Sequence, residues 1–552
     1  MESKVSFIPL GGCGEFGVNL NLFGYQDQWL MVDLGMGFAD DNLPGIEIIL
    51  PDTKFIEERK KNLVGIVITH AHEDHIGAIP YLWTRLKAPI YATPFTAEVI
   101  RMKMKEAGLL EQLILHEIPL GGSRKLGPFE VQLVNVAHSI PEPNLLVIKT
   151  PVGNIVHTGD WKFDDAPVEG STTDIAAIKK IGQEGVLALL GDSTNATTPG
   201  RSGSEGTLQE SLKKIFLRYP NRRIVVTCFA SNIARLKSVA VAAHGAGRVM
   251  GLAGRSFWRM NEAARRTGYL KNIPAFLNER DSTMVDPGQI VIMATGSQGE
   301  PRAAMARLAT GEHPQLDLSP NDVVIYSARA IPGNEKDIAR VQTNLRAMGV
   351  HVVTDQEEFV HVSGHPAHDD VVDLIQWLQP KVLLPIHGEL HQLQAHAKIG
   401  ENLQVPQVLI PRDGDVVELT AAGARVVDEV PHGILCVDGR KIVSSTDIVI
   451  RGRKKLAELG TVMVSLALDD TGSLVADPAV STQGIYSEEQ LVDGEAALAQ
   501  AVVEAVEALN DRHVMDDQAV QQAARIAARR AINQSHGRKP VAEVHVMRVN
   551  AR

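Results

Sequence analysis

The chain has 552 residues, 44% of them hydrophobic and 22% charged, which is enough apolar material for several packed cores. No stretch approaches the ~20 consecutive apolar residues of a membrane span, and Cys13, Cys228 and Cys436 lie too far apart for a disulfide framework or a thiolate zinc cluster. A net charge of −11 argues against a wholly basic surface but says little about a local channel, and 5% aromatic residues exclude extended base stacking along a groove.

The N-terminal residues enter an apolar strand at Val5, as expected of a chain with no signal peptide and a cytoplasmic home. Residues 29–32 predict a strand closed by Asp33, and residues 64–69 another. That second strand runs into His70-Ala71-His72-Glu73-Asp74-His75, three histidines and two carboxylates in six residues. A strand feeding a ligand-rich loop presents imidazoles and a carboxylate from a rigid edge. Neutral imidazoles with a carboxylate suit zinc, and an incomplete set on one ion leaves a place for water. Downstream, residues 131–137 lead to His138, residues 153–156 to Asp160, and residues 383–386 to His387. Every candidate closes a predicted strand, as a site at one edge of a sheet requires.

The order of these residues resembles the metallo-β-lactamase superfamily: an early Asp, an H-x-H-x-D-H loop, a lone His, an Asp and a late His. By that resemblance His70, His72, His138 and Asp160 hold one zinc ion, and Asp74, His75, Asp160 and His387 a second, two per chain, with manganese or magnesium as alternatives that support activity. Asp33 is implied to orient a ligand rather than bind the ion itself. Such a pair of ions activates water and stabilises charge on a phosphoryl group during in-line attack.

More than two hundred residues separate Asp160 from His387, too many for a connecting loop. They alternate between strands at 223–228, 290–294 and 323–327 and helices at 233–244 and 334–348, so an α/β domain is inserted here. An insertion at this point resembles the β-CASP nucleases. Two further motifs of that group match, Asp192 in Gly191-Asp192-Ser193-Thr194-Asn195 and His365 in His361-Val362-Ser363-Gly364-His365. Asp74, Asp192 and His365 are then the candidate catalytic residues, with His365, paired to Asp192, donating a proton to the leaving oxygen. Ser231, Ser363, Gly364 and His365 are candidates for seating RNA phosphates or the 5′ end. Ser231 and Asn232 equally suit the cap of the helix starting near Ile233. Arg235, Arg255, Arg259, Arg265 and Arg266 are candidate basic contacts in the inserted domain, while His157, His361, His368, His391 and His396 carry bland readings as turn, strand or solvated-helix positions.

Within the group the chain is similar to the bacterial ribonuclease J family, through Pro9-Leu10-Gly11-Gly12, Leu43-Pro44-Gly45, residues 191–195, 294–301 and 361–365, and Arg538-Lys539-Pro540. Cys13 and Glu142-Pro143 depart from the expected pattern; the stretch from Pro141 to Leu146 borders the site and bears on substrate preference. The resemblance implies an α/β protein: a metallo-β-lactamase αββα sandwich at 1–204 and 356–450, an inserted β-CASP domain at 205–355, and a small C-terminal α+β domain at 451–552. It implies a 5′-to-3′ exoribonuclease with endonuclease activity on single-stranded RNA, acting in mRNA decay and rRNA maturation. A homodimer or homotetramer, and membership of an RNA-degradation assembly, follow from the same resemblance. A mainly endonucleolytic or DNA-directed enzyme is the second reading. An inactive scaffold would be marked by a missing ligand or a lost His365, and none is missing.

Overall fold

The computed structural model describes residues 3–549, so the first two and last three positions of the expected domains lie outside the described residues. Two compact units are present, one formed by the chain up to Phe38 with Ile49–Ile434, the other by Ala39–Ile48 with the chain from Leu435 onward.

In the first unit, apolar strands with small turns between them build two large sheets. One has eight strands in the spatial order Gly423–Glu429, Asp415–Thr420, Val5–Gly11, Leu20–Tyr25, Gln28–Val32, Leu63–Val67, Ile90–Ala92 and Leu115–Glu117. The other has seven, in the order Ser123–Leu126, Phe129–Asn135, Asn144–Thr150, Gly153–His157, Val186–Asp192, Val382–Ile386 and Gln407–Val408. Their facing side chains form one core, in which Phe7, Phe23, Leu30 and Val67 from the first sheet meet Phe129, Leu146, Ile155, Leu190 and Leu384 from the second. On the outer face of the second sheet, Val147, Val156 and Leu383 pack with Ile178, Leu374 and Ile399 of the helices Ile175–Glu184, His368–Leu378 and Leu390–Asn402. On the first sheet's side run the helices Ile79–Leu86 and Pro94–Glu106, anchored by buried Trp83 and Phe95. The result is the αββα sandwich.

Between strands Val186–Asp192 and Val382–Ile386 the chain forms a third, all-parallel sheet in the order Val249–Ala253, Ile290–Ala294, Ile224–Thr227, Val323–Tyr326 and His351–Val353. Its strands are apolar on both faces, as a sheet covered by helices on both sides demands. The inserted strands leave neighbouring positions of the second sheet and return to them, since Val186–Asp192 and Val382–Ile386 pair in parallel register, Asp192 opposite Ile386.

The second unit has its own core, in which strand Thr461–Leu468 lies between Ala479–Gln483 and Val541–Arg548. Strand Thr461–Leu468 alternates buried and partly exposed residues, so Val462, Val464, Leu466 and Leu468 face Leu498, Val502, Ala524 and Ile532 of the helices Glu488–Glu507 and Asp517–His536. Among the described residues no helix is long and apolar enough to cross a membrane.

Candidate metal centre

The strand ends of both large sheets converge. Asp33 follows Gln28–Val32, the histidine loop follows Leu63–Val67, Asp160 follows Gly153–His157, Asp192 ends Val186–Asp192, and His387 follows Val382–Ile386. Asp33 and His387 adopt left-handed backbone angles, φ 64° and 53°, which non-glycine residues hold only where neighbours over-determine them. Here the Asp33 N–H donates to the Val67 carbonyl and the His387 N–H to the Gly12 carbonyl, both at 2.9 Å.

The seven expected ligands gather into two groups that share Asp160. In the first, His72 Nδ1 lies 3.1 Å from both His70 Nε2 and His138 Nε2, while Asp160 Oδ2 is 3.6 Å from His70 Nε2 and 3.7 Å from His138 Nε2. In the second, His75 Nε2 is 3.3 Å from Asp160 Oδ1 and 3.4 Å from Asp74 Oδ2, and His387 Nε2 is 3.4 Å from Asp160 Oδ1. Zinc bonds of about 2.0–2.1 Å place tetrahedral donors ~3.3 Å apart, so both groups have the spacing of a coordination shell. Asp160 Oδ1 is buried without a hydrogen-bond partner, an orphan that a cation would satisfy. The donor set is that of a zinc site, and the residues fit the ion.

Each imidazole commits its other nitrogen elsewhere. His75 Nδ1 lies 2.7 Å from Asp33 Oδ2, His138 Nδ1 2.5 Å from the Gly364 carbonyl, His387 Nδ1 2.9 Å from Asn19 Oδ1 and His72 Nε2 3.3 Å from Ser139 Oγ. The Thr69 N–H and hydroxyl both donate to Asp33, at 2.8 and 2.9 Å, and the hydroxyl lies 3.0 Å from His70 Nδ1. These contacts fix ring orientation and tautomer, which sets how strongly a histidine binds metal.

The electrostatics suit cations. Burial, reinforced for His70 by neighbouring His75, drives His70 and His138 well below the ordinary imidazole value and His72 to about 4, so all three are neutral donors. Burial would raise Asp160, but His387 and His75 hold it well below the usual carboxylate range. Beside the centre, His365 Nδ1 is 2.8 Å from Asp192 Oδ2. Burial opposes its charging, yet Asp192 and Asp160 push it up to about 9. Asp192 is itself fixed by the Thr194 N–H and hydroxyl, donating to Oδ1 at 2.9 and 2.7 Å.

Ser363 and Gly364 are brought to the centre as well. Asn195 Nδ2 donates to Ser363 Oγ at 2.7 Å, and Ser363 Oγ accepts the His365 N–H at 3.1 Å. Ser231 is not joined to this cluster by a side-chain hydrogen bond among the described residues; it precedes Asn232, whose side chain caps the helix Ile233–Gly245 by accepting from the Arg235 N–H. Four of the five candidate RNA-contacting arginines are otherwise engaged. Arg235 is fully buried against Glu205, Arg265 donates to the carbonyls of Leu270, Ile273 and Pro274, and Arg259 and Arg266 pair with Glu106 and Glu98 of the sandwich helix Pro94–Glu106. Of the five, Arg255 is exposed and has no partner among the described residues. His396, expected on a solvated helix face, is buried with Nδ1 3.0 Å from Ser193 Oγ, directly behind Asp192.

Sequence reasoning missed Asn19, which donates to the Asp74 carbonyl at 3.0 Å while holding His387, and it noted Glu142 without its contacts, the Phe95 N–H and the Tyr269 hydroxyl, each accepted at 2.7 Å. The signal for Asn19 was present as a polar residue beside an apolar strand; the departure at Glu142 was visible, but its partner Tyr269 is remote in sequence.

Family models match four segments: "Metallo-beta-lactamase superfamily" over residues 13–219, "Ribonuclease J, beta-CASP domain" over 221–345, "Zn-dependent metallo-hydrolase RNA specificity domain" over 349–409 and "Ribonuclease J C-terminal domain" over 448–549. Ribonuclease J of Sinorhizobium meliloti is 42% identical over 99% of this chain and 98% of its own. Ribonuclease J2 of Bacillus subtilis is 33% identical over 99% of both chains. A crystal structure from Enterococcus faecalis, of a protein of unknown function, shares the fold with a TM-score of 0.55 at 17% identity, covering 75% of this chain and 100% of its own. With full-length relatives and all four domain matches in agreement, the chain belongs to the ribonuclease J family, as a metal-dependent ribonuclease of the metallo-β-lactamase superfamily.

Proposed function

We propose that the protein is a two-zinc ribonuclease that removes nucleotides from the 5′ end of single-stranded RNA and also cuts internally, in mRNA decay and rRNA maturation. The observation that carries this reading is Asp160, one carboxylate whose two oxygens face two separate imidazole groups, 3.6 Å from His70 and 3.3 Å from His75. Bound there, a zinc pair supplies a nucleophile from water at neutral pH and positive charge beside the phosphate, with manganese or magnesium able to substitute. His70, His72, His138 and Asp160 hold one ion, and Asp74, His75, Asp160 and His387 the other; Asp33 orients His75. As water attacks phosphorus, the bond to the 3′ oxygen breaks, and His365 donates its proton to that oxygen while Asp192 holds Nδ1. The products carry a 5′ phosphate and a 3′ hydroxyl. Ser231, Ser363 and Gly364 seat phosphates of the incoming strand.

In the same reading the metallo-β-lactamase domain comprises residues 1–204 and 356–450, the β-CASP domain 205–355 and the C-terminal domain 451–552. The protein acts in the cytoplasm as a homodimer or homotetramer, within an RNA-degradation assembly. The test uses matched single-stranded RNAs with a 5′ monophosphate or a 5′ triphosphate, incubated with the protein and its His72→Ala variant. Mononucleotides released from the monophosphate end, and lost in the variant, are expected. Discrete internal fragments from both RNAs would replace the exonuclease by an endonuclease, and no cleavage with zinc bound would overturn the reading.

A further inference from the structure

Arg235 is fully buried, and its guanidinium uses all three nitrogens. Nε and Nη2 donate to Glu205 Oε1 and Oε2 at 2.7 and 3.1 Å, Nη1 to the Ser327 carbonyl and hydroxyl at 2.6 Å each, and Nη2 also to the Val362 carbonyl at 3.3 Å. Ser327 Oγ passes the contact on, donating to the Val360 carbonyl at 2.6 Å. Two of these partners, Glu205 and Val362, flank the crossings between sandwich and inserted sheet, and Ser327 stands at a strand end of the inserted sheet itself. Glu205 begins the helix Glu205–Leu217 on the outgoing side, Ser327 follows the inserted strand Val323–Tyr326, and Val360 and Val362 lie on the returning segment. The outgoing side is tied back to the metal centre, because the Glu205 N–H donates to Asp164 Oδ2 at 3.0 Å and Asp164 pairs with Lys162 at 3.0 Å, four and two residues beyond Asp160. Three residues after Val362 stands His365.

We propose that Arg235 is a positioning residue for proton transfer: by clamping both crossovers it sets where His365 stands relative to the metal ligands. This rests on the reading of His365 as the general acid. A planar fork that meets a carboxylate and two peptide carbonyls at once has no equivalent in lysine. Loss of the clamp releases the returning segment, and a displacement of ~1 Å at a reacting group lowers a rate about 10²-fold.

The experiment compares single-stranded RNA having a normal linkage with RNA whose scissile 3′ oxygen is sulfur, a leaving group that departs without a proton. Arg235→Lys is expected to lose about 10²-fold in kcat on the normal linkage, with KM within roughly twofold, full zinc content, and most of the loss recovered on the sulfur linkage. His365→Ala is the reference and shows the same recovery. Ser327→Ala, a smaller change that removes the hydroxyl's contact with Arg235 Nη1 and its relay to Val360 but keeps the Ser327 carbonyl bond, is expected to lose several-fold with the same recovery; it decides the matter should Arg235→Lys not fold. A folded Arg235→Lys, or in its place Ser327→Ala, that is equally slow on both linkages while His365→Ala recovers would overturn the role of Arg235 alone. Absence of recovery in His365→Ala would overturn both that role and the acid assignment.

Discussion

Replacing Asp33 by asparagine conserves shape and removes one charge, and its effect follows from the hydrogen bonds around it. Asp33 accepts from the Thr69 N–H at 2.8 Å through Oδ1, and faces His75 Nδ1 at 2.7 Å through Oδ2. An asparagine offers one acceptor and one donor. If its oxygen serves Thr69, its amide meets His75 Nδ1, and the imidazole must carry its proton on Nε2, the nitrogen needed for the ion. If the amide flips, two N–H groups confront each other at buried Thr69. The first arrangement occupies the metal-binding nitrogen of His75 with a proton and the second leaves a buried donor unsatisfied at about 1–3 kcal/mol; either should weaken zinc binding roughly 10- to 100-fold, the range seen for partners of metal-binding histidines. The loss should fall mainly on the group that contains His75, because Asp33 touches His75 directly and reaches His70 only through the Thr69 hydroxyl. Competition against a graded series of chelators, with zinc per chain measured after dialysis, should show the variant retaining about half of the wild-type zinc if the proposed pair of ions is present. Unchanged affinity at both sites, or equal weakening of both, would refute the argument.

Three further outcomes are expected. A Cβ on Gly364 would lie 2.7 Å from the His138 ring, so Gly364→Ala should displace that ring and reduce cleavage about 10²-fold with weaker zinc retention, measured by turnover and metal analysis. Tyr269→Phe removes the hydroxyl that bridges the inserted domain to Glu142 and should cost about 1–2 kcal/mol in thermal or urea unfolding, with zinc content intact. Asp164 is held below its ordinary pKa, against the burial that would raise it, by Lys162 and by the Ser204 hydroxyl and Glu205 N–H. Its contribution to stability is therefore complete above the unfolded carboxylate value and disappears as pH falls through the folded one; Asp164→Asn should flatten the acid side of a stability-versus-pH curve and leave a buried Lys162 charge unpaired, losing about 3 kcal/mol near neutrality.

The candidate metal centre was legible because its residues sit at strand ends, the histidine-rich run at 70–75 above all, where local patterning and chemistry coincide. Strands such as Gln28–Val32 and Ile290–Ala294 were equally plain, since their apolar runs are bounded by turn residues. The supporting contacts were not legible. A basic residue on a helix reads as a surface charge, and only the return of Ser327 and Val362 to its side reveals Arg235 as an interior clamp. His396 looked solvated for the same reason: the partner that buries it, Ser193, stands two hundred residues away. Arg259 and Arg266 carry positive charge that the sequence offered to RNA and that the fold spends on Glu106 and Glu98. Pairings across such distances leave no periodic trace.

Inserting a whole sheet between Asp160 and His387 has a consequence for synthesis. A ribosome that has delivered the histidine loop and Asp160 has made one imidazole group in full, while the second lacks His387 and the acid pair lacks His365. The folding sandwich must leave strand Val186–Asp192 as an open edge of its second sheet, because Val382–Ile386, its neighbour there, and Gln407–Val408 beyond it emerge only after the inserted sheet. In the proposed reading the nascent chain lacks both His365 and His387, and with them its ribonuclease chemistry, until about 70% of it has been made.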